Sequence, residues 1–148
     1  GDVYKRQAVG SAASAAGRLL CPAASDHWGR KPVLYGVYAA LAAGSIGFAF
    51  AQGWWVLAAY CVLTCFYSGG AAVQPALNTD LFGLAHAGVN YGLIALGMSA
   101  GSLLSYAGSQ LLDLPARHML AVASAVAGGI CFLFVKPVAT VEKQQGNG

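Results

Sequence analysis

From Val33 to Ala51 the chain runs for nineteen residues without a single charge. At about 1.5 Å per residue, a helix over that run is roughly 28 Å long, close to the ~30 Å hydrocarbon core of a bilayer. A chain of 148 residues can hardly bury such a helix on every side, so its solvent is lipid. The remaining sequence agrees: only 9% of its residues are charged, against roughly a quarter in soluble domains.

Other apolar runs fill positions 8–24, 54–77, 88–111 and 119–135, the first interrupted by Arg18 and the second opened by Trp54 and Trp55, a pair typical of the membrane interface. The polar stretches between them, Ser25–Pro32, Gln52–Gly53, Asn78–Ala87 and Asp113–His118, read as turns. The expected fold class is all-α, a membrane helical bundle of about five transmembrane helices, followed by a polar tail over 137–148. Short connections make successive helices antiparallel neighbours.

Gly1–Gln7 does not read as native protein. Back-translated, Asp2 to Gln7 can be spelled GATGTGTATAAGAGACAG, which looks like the mosaic end of a transposon-based sequencing adapter. These residues are expected to be a read-through scar to be excluded from fold reasoning, which makes the native chain N-terminally truncated. Native coding sequence running continuously through this point would refute that.

Charge is concentrated in Ser25–Pro32, where Asp26, Arg30 and Lys31 surround Gly29. Arg30, Lys31, Lys136 and Lys143 would lie on one side of the membrane, with Arg117 on the other. The positive-inside rule therefore predicts that the charged turn and the C-terminus are cytoplasmic. A formal net charge of +3 is too small and scattered for a nucleic-acid surface. No phosphate-binding loop, zinc motif or nucleophile–base constellation occurs, so neither an enzyme nor a cofactor or metal site is expected. Cys21, Cys61, Cys65 and Cys131 all sit in apolar runs and read as small buried hydrophobes. His27, His86 and His118 lie at connections and read as solvated.

Two stripes of small residues, Gly36, Ala40, Gly44, Gly47 and Gly97, Gly101, Ser105, Gly108, repeat at helical spacing and read as packing faces. Arg18 precedes Asp26 by eight residues, ~12 Å deeper along a shared helix. A guanidinium at that depth faces a water-filled cavity or a partner, or else snorkels to the headgroups. Ser11 and Ser14 share its face. Tyr60, Thr64, Tyr67, Ala71 and Gln74 form a polar stripe that either lines a solute path or bonds a neighbouring helix. Asp80 and Asn90–Gly92 read as ties between the 78–87 connection and its helices.

Asp26-His27-Trp28-Gly29-Arg30-Lys31 resembles the charged signature of the major facilitator superfamily, with Pro22 and His27 standing where the signature has a glycine and a cation. Those departures match the weaker copy between the eighth and ninth helices. Gly17-Arg18, Pro75–Gly83, Gly88–Gly92 and Phe134–Pro137 are similar, taken together, to the oxalate/formate antiporter family. The resemblance implies the last five helices of a twelve-helix transporter that moves a small organic anion by alternating access in a lipid bilayer, in partnership with a missing N-terminal half. It implies anion binding at Arg18, assisted by Tyr60, Thr64, Tyr67 and Gln74, and a cytoplasmic gate of Asp26, Gly29, Arg30, Lys31 and Asp80. Met98 stands where the family's oxalate exchanger has a lysine, which favours a monocarboxylate such as formate, lactate or pyruvate over oxalate. A bacterial inner membrane is the implied location. The reading from another class is a membrane-embedded scaffold without transport activity, in which Arg18 would have a protein acid as permanent partner.

Overall fold

The computed structural model describes residues 2–135, and there it consists of five helices: α1 Asp2–Trp28, α2 Arg30–Phe50, α3 Trp54–Phe82, α4 Ala87–Leu111 and α5 Leu114–Leu133. The expected helical bundle is what the chain forms. Lys136, Lys143 and the polar tail lie outside the described residues. By length and hydropathy α2, α3, α4 and α5 can each cross a membrane. Although α1 spans 27 residues, Asp2, Lys5, Arg6, Arg18 and Asp26 keep its hydropathy low.

The breaks follow local chemistry. Gly29 has φ 95°, a left-handed conformation that costs a glycine little and lets the chain reverse within one residue between α1 and α2. Its N–H still donates to the Ser25 carbonyl at 3.0 Å, closing the end of α1. The expected connection over 78–87 is shorter than its polarity suggests, because α3 continues to Phe82 and only four residues precede α4. Asn78 explains the difference: it is buried, and its Nδ2 donates to the Ala87 carbonyl at 3.0 Å. Its polarity serves to hold the start of α4 against α3. Asn78→Ala is expected to cost about 1 kcal/mol, read as a lowered thermal midpoint in detergent.

The helices do not pack in chain order. α1 lies along α3, α2 lies against both α3 and α5, and α4 touches the bundle mainly through α3. Buried Leu34, Val37, Val73 and Phe132 form the apolar core between α2, α3 and α5, with the Tyr35 ring edge-on to Phe132 at 5.1 Å. Cys131, expected to be buried, is exposed, as is most of α5 apart from Phe132, whereas Cys21 is buried at the α1–α3 contact. His118, expected to be solvated, is half-buried with its ring 5.8 Å from Phe48.

The closest helix approach is not where the small-residue stripes were expected to make it. A Cβ on Gly17 would lie 1.9 Å from the Cys65 carbonyl oxygen, and one on Gly69 would lie 2.2 Å from Cys21 Sγ and 2.8 Å from the Gly17 oxygen. The backbones of α1 and α3 are therefore in contact. By contrast, Gly36, Gly47, Gly97 and Gly101 face open space, and of the glycines in those two stripes only Gly44 and Gly108 meet a neighbouring side chain, Leu63 and Leu120. Small residues permit close approach, but another helix has to arrive opposite them.

Candidate functional site

Beside the α1–α3 crossing, Gly10, Ser11, Ser14, Arg18, Tyr60 and Thr64 line an open cavity of about 390 Å³. Arg18 is exposed to it, and no ion pair among the described residues includes this side chain. The expectation that Arg18 shares a polar face with Ser11 and Ser14 holds. Ser14 also bonds across the crossing, its Oγ 2.6 Å from Ser68 Oγ. Ser68 is a contact that sequence reasoning missed.

The stripe on α3 does not line one path. Tyr60 and Thr64 face the Arg18 cavity, whereas Tyr67, Ala71 and Gln74 line a second cavity of about 720 Å³ shared with α2 and α4. Met98 lies on the wall of that second cavity. α1 stays beside α3 at the level of the second stretch too, where Gly69 meets Cys21, so the two parts of the stripe differ in which cavity they line and not in whether α1 is near. Tyr38 of α2 and Ser102, Ser105, Tyr106 and Ser109 of α4 complete the second wall. The α4 residues were visible in the sequence as a hydroxyl stripe at spacings of three and four following Met98.

At the charged-turn end, Arg30 gathers three helices. Its Nε donates to Asp80 Oδ2 on α3 at 3.1 Å, while its Nη1 donates to Ser25 Oγ at 2.7 Å and to the Asp26 carboxylate, both on α1. Ser25 is buried and passes its own hydrogen to the Pro22 carbonyl at 2.8 Å. Lys31 donates to the Val135 carbonyl, tying the start of α2 to the end of α5. Asp80, expected to tie the 78–87 connection to its helices, instead pairs with α2 across the bundle; Asn78 makes the tie. Asp26, Gly29, Arg30, Lys31 and Asp80 are thus brought to one end, about two helical turns from Arg18 along α1.

The family model described as Major Facilitator Superfamily matches residues 7–147 of the chain. No curated protein and no solved structure gives a significant match.

Proposed function

The chain belongs to the Major Facilitator Superfamily, whose members are membrane transporters, and from that premise we propose that it carries the anion-binding part of a transporter for a small monocarboxylate. The observation behind this reading is Arg18, a fixed cation beside the hydroxyls of Ser11, Ser14, Tyr60 and Thr64, with no acid paired to it among the described residues. A guanidinium there can hold a carboxylate through two parallel charge-assisted bonds. The wall carrying Met98 offers no second cation, which favours one carboxylate over two. In this reading the chain supplies the last five helices of a twelve-helix protein, completed by an N-terminal half, and alternates access by rocking the halves around a midplane site.

The Arg30 cluster would be the cytoplasmic gate, placed there by the positive-inside rule and joined by the C-terminus on the same side. A bacterial inner membrane remains the proposed location. Asp26 and Asp80 keep 66% and 54% of their side-chain surface exposed, against 26% for Arg30. Such pairs contribute about 1 kcal/mol or less each and are screened by salt, a size that can bias a conformational equilibrium without locking it. Asp80→Asn is accordingly expected to change the thermal midpoint little, and to raise the reactivity of a cysteine placed at Ser25 with a maleimide at low salt, a difference that fades in ~0.5 M salt. A large, salt-insensitive loss of stability would mean that the cluster is a structural fastening.

The transport reading is tested with the full-length protein in proteoliposomes, measuring uptake of labelled formate, lactate and oxalate. Uptake of one of the monocarboxylates that unlabelled oxalate fails to displace is expected. Efficient oxalate exchange would overturn the monocarboxylate assignment.

A further inference from the structure

Tyr60 lines both the Arg18 cavity and a third cavity of about 540 Å³, and no other residue is common to the two. The third cavity lies between the end of α2 and the start of α3, at the end of the bundle opposite the Arg30 cluster. Phe48, Trp54, Val56 and Leu57 give it apolar walls, with Arg6 the one charge on them. The Arg18 cavity beyond is polar, with Ser11, Ser14 and Thr64 beside the guanidinium. Gly53, Leu57, Tyr60 and Thr64 follow one another at spacings of four, three and four, so both cavities lie along one face of α3 and meet at Tyr60.

The ring has a seat on the opposite helix. Gly10 of α1 is buried, and a Cβ there would lie 2.5 Å from Tyr60 Cε1, 3.1 Å from its Oη and 3.2 Å from its Cζ. The far edge of the phenol therefore rests on the bare backbone of α1, across the junction of the two cavities. No hydrogen bond among the described residues includes the Tyr60 hydroxyl. Packing alone holds the ring, and it can swing without breaking a bond.

We propose that the Tyr60 ring, seated on Gly10, is the gate between the Arg18 cavity and the side of the membrane opposite the Arg30 cluster. The inference rests on the reading of Arg18 as the anion site and of the Arg30 cluster as cytoplasmic, and adds the route by which a solute arrives from the other side. A solute moving inward along that face of α3 leaves apolar walls for the guanidinium, and the ring stands across this step. Gly10 precedes Arg18 by eight residues, so a shut ring encloses a stretch of about 12 Å holding Ser11, Ser14 and Thr64. A side chain at position 10 would meet the tip of the phenol and not backbone, so it displaces the gate and leaves the helices in place.

The gate is tested by access to a thiol. In right-side-out vesicles containing the full-length protein with Ser11→Cys as the sole thiol, a membrane-impermeant methanethiosulfonate carrying a sulfonate is added from outside. A gate open about a tenth of the time or less slows labelling about tenfold or more, so Tyr60→Ala is expected to raise the rate by that factor. Tyr60→Phe keeps the ring and should label like the parent. Gly10→Ala should give an intermediate rate, and it carries the test if Tyr60→Ala fails to fold. A rate that neither Tyr60→Ala nor Gly10→Ala changes overturns the gate. So does fast labelling of Cys21, as sole thiol, in Tyr60→Ala, because the α1–α3 crossing would then have loosened as a whole. The reading of Arg18 fails separately: uptake indifferent to Arg18→Ala removes the anion site and leaves the gate, since labelling at Ser11 needs no solute.

Discussion

Gly17→Leu should separate α1 from α3 and cost about 4 kcal/mol or more, at the severe end of single substitutions. Even the first carbon of a new side chain would fall 1.9 Å from the Cys65 carbonyl oxygen, well inside the distance at which atoms touch. That oxygen belongs to helix backbone and cannot swing aside, so the whole of α3 has to move. Moving it takes Gly69 away from Cys21 and stretches the 2.6 Å contact between Ser14 and Ser68. In lipid, where helix association depends on close packing and polar contacts more than on a hydrophobic drive, nothing on this crossing replaces what is lost. Gly17→Ala should give a smaller effect of the same sign. Besides the thermal midpoint in detergent, the crossing has its own reporter. Cys21 is buried against Gly69, and in a background where it is the sole thiol its maleimide labelling should be slow in the parent and fast in Gly17→Leu. Unchanged labelling would show that α1 and α3 do not meet at Gly17.

Arg18→Ala should reduce kcat/KM for the transported anion about 100-fold or more, because two charge-assisted bonds to a carboxylate are together worth roughly 3–5 kcal/mol. The loss should appear mainly as a raised KM if the guanidinium holds the solute similarly in every conformation. Arg18→Lys should recover part of it, keeping the charge without the planar fork. Folding is not expected to suffer, since Arg18 is exposed and belongs to no ion pair among the described residues; the thermal midpoint of Arg18→Ala in detergent checks this. Normal uptake with an unchanged KM would leave Arg18 as a snorkelling side chain and withdraw the anion site.

What could be read from the sequence was what a helix decides by itself. Charge-free runs and interfacial tryptophans gave the membrane bundle, and the density of charge around Gly29 gave the turn, because both depend on neighbours in the chain. The partnership of Arg30 with Asp80, fifty residues away, depends on α2 lying antiparallel to α3, and nothing in the spacing of either residue encodes it. Gly17 and Gly69 look like any other glycine until two helices cross there, whereas Gly36, Gly47, Gly97 and Gly101 of the more regular stripes face open space. The polar face of α3 was legible as a face. Its division between two cavities was not, since that depends on which helices pack around α3, which no residue of the stripe encodes.

The crossing of α1 with α3 also bears on how the protein is made. Its two glycines, at positions 17 and 69, are separated by more than fifty residues of chain, and synthesis at about 5–20 residues per second puts several seconds between them. During that interval α1 has been released with Arg18 on its surface and, of the other helices described, with α2 alone beside it. The groove of bare backbone at Gly17 is then a vacancy waiting for a later helix, so the stage at which cellular quality control can first distinguish a sound chain from a defective one comes after α3 has entered the bilayer.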